Sequence, residues 1–159
     1  MIPTAKDLME THIVSVAPET PLINVHRLFV EEQISGAPVL DELGAVVGVI
    51  TAADLLRAVA EEHDTVRMEA DYFRDTLPYS SPDWSGAPEN FQDRLAELRV
   101  SDEMSEGVIS VPPSAGAPEV ARTLRKAAVH RVFVVEDGRL LGLLSAFDLL
   151  RVIEDWTED

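Results

Sequence analysis

The chain has 159 residues, no cysteine, and 29 acidic against 13 basic residues, for a formal charge of −16. Without cysteine there is no disulfide framework and no thiolate chemistry, and so acidic a chain lacks the clustered Lys and Arg that a nucleic-acid surface requires and is repelled by anionic membrane. An apolar share of 46% with a mean hydropathy of +0.03 belongs to a globular protein with a real core. The opening MIPTAKDLME is not a signal peptide and no apolar run is long enough to cross a bilayer, so a cytoplasmic protein is expected.

In chain order, Thr4 to Met9 predicts a short helical lead-in, and His12 to Val16 an extended strand ending at Pro18. A helix follows, with Thr20 as its cap, Pro21 at its first position, and Leu22, Val25, Leu28 and Phe29 on one stripe. Gly36 ends it. The apolar runs Ala37–Leu40 and Ala45–Ile50 flank Asp41-Glu-Leu-Gly44, a hairpin turn in which Gly44 takes positive φ cheaply. Thr51 then opens another helix, predicted to run from Leu55 to about Asp75 with Asp71 near Arg67 and Arg74, and to stop near Pro78. Leu77–Pro88, with three prolines, reads as a loop in which Tyr79 and Trp84 pin a neighbouring surface. A short helix over Glu89–Leu98 leads into a second series. There Val108–Val111 is a strand, Ala117–Ala128 a helix with Pro118 near its start, and Val132–Val135 and Leu140–Leu144 a hairpin around Glu136-Asp-Gly138.

The second series repeats the first: residues 7–57 recur at 102–151, with one extra residue in the first copy. The closest agreement is Gly48-Val-Ile-Thr51-Ala-Ala-Asp54-Leu-Leu-Arg57 against Gly142-Leu-Leu-Ser145-Ala-Phe-Asp148-Leu-Leu-Arg151. Each copy reads β-α-β-β-α. A repeat this short cannot bury both faces of its own sheet, so the copies are expected to pack on each other. The division is residues 1–60 and 99–159 for the repeats, with an acidic helical and loop insertion over 61–98.

Thr51-x-x-Asp54 and Ser145-x-x-Asp148 support two readings. A hydroxyl and a carboxylate on the first turn of a helix lie among free backbone N–H groups at the positive end of the macrodipole. The acid there can accept two hydrogen bonds from a ribose diol while hydroxyl and amides face a phosphate. The same residues also form a capping box, worth about 1 kcal/mol to the helix with no ligand.

Paired β-α-β-β-α repeats, opening with Asp7-Leu-Met9 and Asp102-Glu-Met104 and closing in Gly-apolar-apolar-Thr/Ser-x-x-Asp, resemble the cystathionine-β-synthase-type (CBS) domain pair, or Bateman module. The resemblance covers nearly everything outside roughly residues 58–98. It implies an α/β (α+β) fold of tandem CBS repeats with pseudo-twofold symmetry, two inter-repeat clefts for adenosine-based ligands (AMP, ADP, ATP or S-adenosylmethionine), and a disc-shaped homodimer. It also implies that His130 and Arg131, which replace Ser35 and Gly36 of the first copy, reach phosphates in the cleft headed by Asp54, leaving the Asp148 cleft without a matching pair. The other reading of this dipeptide is a helix C-terminus satisfied by cations, with Arg125 and Lys126 beside it. Backbone near Ile13, Val108, Ala37 and Val132 would line the adenine pocket by the same resemblance, although apolar residues at strand ends are core residues first.

Glu61-Glu-His-Asp64 is a solvated acidic face before it is a metal site, although some members of the family respond to Mg²⁺. No cofactor is expected, and no catalytic motif is present: there is no Gly-x-Ser-x-Gly elbow and no Walker loop, and the four histidines show no ligand spacing. The resulting expectation is a non-enzymatic regulatory module that senses an adenosine nucleotide and changes its contacts with an unnamed partner protein. The rival is a ligand-free dimeric interaction scaffold.

Overall fold

The computed structural model describes residues 1–59, Trp84 and residues 89–156. The predicted helix beyond Val59 with its Arg67, Asp71 and Arg74 pairs, the Glu61–Asp64 cluster, and the Leu77–Pro88 loop with Tyr79 lie outside the described residues, Trp84 excepted.

The described chain mixes helices and strands in the expected order: α1 (Ala5–Leu8), α2 (Leu22–Glu32), β1 (Gly36–Leu40), β2 (Val46–Thr51), α3 (Ala52–Val59), α4 (Phe91–Glu97), α5 (Val100–Glu103), β3 (Ser110–Val111), α6 (Ala117–Ala127), β4 (Arg131–Glu136), β5 (Arg139–Ser145) and α7 (Ala146–Glu154). It forms two compact units, an inner one of Val14–Val108 and an outer one of Met1–Ile13 with Ile109–Asp159.

In the inner unit β1 and β2 pair antiparallel from Gly36↔Thr51 to Leu40↔Val46. Their turn is held by Asp41, whose Oδ1 accepts from the Leu43 and Ala45 amides, both at 2.9 Å, and Gly44 has φ +82°. Leu22, Val25 and Phe29 of α2 pack with Val39, Ile50 and Leu55, and Phe91 and Leu95 of α4 close the same core. Burying a Leu or Phe side chain contributes about 1.5–3 kcal/mol, so a seven-residue helix with two buried anchors is held by packing rather than by propensity.

The outer unit has a three-stranded sheet, β3 parallel to β4 and β4 antiparallel to β5. Asp137 and Gly138 turn the hairpin at φ +53° and +80°. Val120 and Leu124 of α6 are buried, as are Val132, Phe133, Val134 and Leu144 of the sheet.

Three local expectations are corrected. The strand over His12–Val16 shrinks to one parallel bridge, Val16↔Val39, whereas its equivalent in the second copy is β3. In the second copy the Phe133 amide donates to the Ile109 carbonyl at 3.0 Å. The first copy has Pro38 at the matching place, and proline has no N–H to give. Secondly, α2 is capped by Pro21 in extended conformation rather than by Thr20, and the Thr20 carbonyl instead accepts from the Val100 amide at 2.9 Å. Thirdly, that helix ends before Gly36, at Gln33 in the left-handed region.

The lead-ins are exchanged. Helix α1 belongs to the first copy by sequence but to the outer unit by packing. Glu10 and Leu143 trade backbone hydrogen bonds of 2.8 and 2.9 Å, and in the inner unit Ser105 and Val49 do the same at 2.9 and 2.8 Å. A glycine permits each close approach: a Cβ on Gly142 would lie 2.5 Å from Met9 Sδ, and one on Gly48 would lie 2.6 Å from the Ser105 carbonyl oxygen. The Asp-x-Met lead-in of each copy thus seats on the Gly-apolar-apolar strand of the other.

Candidate functional site

Each hydroxyl–acid turn lies where the second hairpin strand hands over to a helix. In the inner unit the Ala52 amide, at the start of α3, donates to the Ser35 carbonyl at 2.8 Å, and in the outer unit the Ala146 amide donates to the His130 carbonyl at the same distance. The sheet register matches as well: Gly36 faces Thr51 and Arg131 faces Ser145. Ser35-Gly36 and His130-Arg131 are therefore structural equivalents. Residues directly opposed on antiparallel strands project from one face, so Arg131 stands on the same sheet face as Ser145.

Both turns form the capping box. Asp54 Oδ2 accepts from the Thr51 amide at 2.8 Å and the Thr51 hydroxyl at 2.9 Å, and Thr51 Oγ1 accepts from the Asp54 amide at 3.2 Å. The distances from the Ser145 amide and hydroxyl to Asp148 Oδ2 are 2.8 and 3.1 Å, and from the Asp148 amide to Ser145 Oγ 3.3 Å. Capping is thus satisfied at both helices, while the other carboxylate oxygen of each acid is left to a different fate. Asp54 Oδ1 accepts from the Arg57 guanidinium. Asp148 Oδ1 has no hydrogen bond among the described residues, with Arg151 Nη2 at 3.9 Å and donating to the Leu8 carbonyl at 3.0 Å. Side-chain exposure follows, 5% for Asp54 and 27% for Asp148.

Arg57 and Glu103 are site residues that sequence reasoning missed. The i, i+3 spacing of Asp54 and Arg57 was a usable signal; for Glu103 there was none, since it reaches Asp54 only through tertiary packing. Burial raises the Glu103 pKa first, the Asp54 and Asp102 charges raise it further, and Arg57 works against them. By contrast, Asp7 in the outer lead-in is lowered by hydrogen bonds from the Thr4 amide and hydroxyl.

The remaining expected positions divide between the units. His130 is exposed and Arg131 half-buried, in the outer unit with Ile13; Val108 lies in the inner unit. Ala37 and Val132 are fully buried core residues, one register step from Thr51 and Ser145. Helix α6 ends at Ala127, with Ala128 in left-handed conformation closing it through its amide. The described residues hold no cluster of three or more His, Asp or Glu suited to a metal ion, and none of their helices is long and apolar enough to cross a membrane.

Comparison with known proteins places these features in a family. The CBS domain model matches residues 5–61 and 100–155. The chain is 30% identical over 135 residues to the gamma subunit of 5′-AMP-activated protein kinase of Saccharomyces cerevisiae, covering 84% of this chain and 35% of that subunit. It therefore spans about a third of that relative's length. Among solved structures, CBSX2 in complex with AMP superposes with a TM-score of 0.64 at 23% identity, covering 96% of both chains. The CBS domain pair of MJ0100, in complex with 5′-methylthioadenosine and S-adenosylmethionine, does so at 0.62 and 19% identity, covering 97% of this chain and 98% of that one.

Proposed function

The chain belongs to the CBS-domain family, and we propose that it is a regulatory, non-catalytic module that binds an adenosine-based ligand at its hydroxyl–acid turns. The ligand is AMP, ADP, ATP or S-adenosylmethionine, and its binding alters contacts with a partner protein. The observation that carries this reading is the outer turn: its acid already caps α7 through one oxygen and keeps the other without a hydrogen bond among the described residues. A carboxylate placed so accepts from a ribose diol without giving up its structural work. Ser145 and Thr51 with the helix amides face the phosphate, His130 and Arg131 supply the cations that so acidic a chain needs for an anion, and backbone near Ile13, Val108, Ala37 and Val132 meets the adenine. Similarity to a kinase gamma subunit and to CBS pairs solved with AMP and with S-adenosylmethionine supports the ligand class. Mg²⁺ enters only as the companion of a nucleotide phosphate.

The module works as a homodimer. Helix α7 has no buried residue, and Phe147, Leu150, Ile153 and the adjoining Trp156 are exposed, a stripe that a second copy would cover. A ligand moves such an assembly only as far as its affinities for the two arrangements differ. The competing reading, a ligand-free scaffold, draws on the same capping boxes. Calorimetric titration with AMP, ATP and S-adenosylmethionine separates them: saturable binding that Asp148→Ala abolishes is expected, and no heat from any of the three refutes nucleotide sensing.

A further inference from the structure

The two hydroxyl–acid turns share one hydrogen-bond plan and part at a single atom, the acid's Oδ1. At Asp54 that oxygen is taken by Arg57, Oδ2 is taken by Thr51, and the carboxylate is nearly sealed from solvent. At Asp148 the matching arginine donates to the Leu8 carbonyl and stands 3.9 Å from Oδ1, which accepts no hydrogen bond among the described residues. The lead-ins beside the turns also differ at one position, where Asp7-Leu8-Met9 is matched by Asp102-Glu103-Met104. Leu8 offers only its carbonyl to Arg151. Glu103 brings a carboxyl near enough to Asp54 and Arg57 for both charges to act on its protonation, whereas the guanidinium itself bonds Asp54.

Resting on the nucleotide-binding reading, we infer that the turns are unequal sites: Asp148 is open to a ribose-like diol, and Arg57 is a latch that must leave Asp54 before the inner turn can accept one. The outer turn has no second acid in the corresponding place, which Leu8 occupies.

The test is AMP titration of the full chain by calorimetry, with circular dichroism to verify folding. Wild type is expected to take one AMP per chain, Asp148→Asn to weaken it by about tenfold or more, the worth of a charge-assisted hydrogen bond, and Arg57→Gln to gain a second equivalent that Arg57→Gln/Asp54→Asn loses again. Undiminished binding by Asp148→Asn, or a single equivalent in Arg57→Gln, overturns the inference. A ligand-free arm separates its failure from that of the reading beneath it: melting temperatures of the Asp54→Asn, Arg57→Gln and double variants are expected to be non-additive, and those of the Asp148→Asn, Arg151→Gln series additive. Equal coupling in the two series removes the latch whatever AMP does. No AMP heat with unequal coupling leaves the latch standing and removes the nucleotide.

Discussion

Alanine at the two lead-in glycines tests the exchanged packing quantitatively. On Gly48 the new Cβ would sit 2.6 Å from the Ser105 carbonyl oxygen, where ordinary contact begins at 3.4 Å, so backbone must retreat by about 0.8 Å. That retreat strains both Val49–Ser105 hydrogen bonds, of 2.8 and 2.9 Å. Overpacking of this kind costs about 1–3 kcal/mol, the two hydrogen bonds are worth about 0.5–1.5 each, and alanine recovers about 0.5–1 of glycine's entropy. The net loss is about 2–3 kcal/mol, or roughly 5–10 °C in melting temperature for a chain of this size. On Gly142 the Cβ meets only side chain, Met9 Sδ at 2.5 Å, Cγ at 2.7 Å and Cβ at 2.9 Å. The Sδ and Cγ atoms can swing aside but Met9 Cβ is fixed by the backbone, so Gly142→Ala is expected to cost somewhat less, about 1–2 kcal/mol, and adding Met9→Ala should restore the part due to Sδ and Cγ. Adding Met104→Ala to Gly48→Ala should restore little, because the obstacle is a carbonyl. Chemical denaturation of the four variants measures all of this. Gly48→Ala melting within a degree of wild type, or full rescue by Met104→Ala, would refute the reasoning.

Other outcomes follow from individual contacts. Leu95→Ala, at a fully buried position on α4, should lose about 2–5 kcal/mol in denaturant titration; a loss below 1 would mean that α4 is not anchored by that side chain. His26 has a buried Nε2 with no hydrogen-bond partner among the described residues, stacks edge-on at 4.4 Å from Trp84 and 5.2 Å from Phe91, and has its pKa lowered by burial from 6.5. The folded state therefore resists protonation, so its contribution is intact above pH 6.5 and is lost as pH falls below. His26→Leu should flatten that part of the stability profile, and an unchanged slope counts against the assignment. For Glu103 the sign reverses: its raised pKa favours the protonated form, and stability is lost as pH climbs out of the carboxylate range. Glu103→Gln should thus be more stable than wild type at pH 7 and nearly equal to it at pH 4, by thermal melts at both.

Elements governed by local chemistry were legible in the sequence: the hairpins around Gly44 and Gly138, the capping boxes at Thr51 and Ser145, and the amphipathic helices α2 and α6. Non-local outcomes were not. Nothing in Asp7-Leu-Met9 says which sheet it will join, because its pattern is satisfied by either hairpin, each of which offers a glycine, Gly48 or Gly142, for the close approach. The shrunken strand at Val16 depends on Pro38, which is far away in sequence but adjacent in the ladder. Likewise, Arg57 and Arg151 share the Asp-Leu-Leu-Arg context yet differ in partner, Asp54 for one and the Leu8 carbonyl of a lead-in for the other.

The exchange of lead-ins also gives synthesis a direction. All of the inner unit lies within one continuous stretch, Val14–Val108, so it can assemble as soon as that stretch leaves the ribosome. The lead-in over residues 5–10 is made before that stretch and has to wait unpaired, because Ala5 and Lys6 donate to the Ala115 and Pro113 carbonyls and Glu10 pairs with Leu143, all of them made later. Closing so long a loop is entropically expensive and slow. Helix α1, made before the inner unit, therefore docks after it, and a nascent chain halted before Leu143 would expose Met9 to chaperones and proteases.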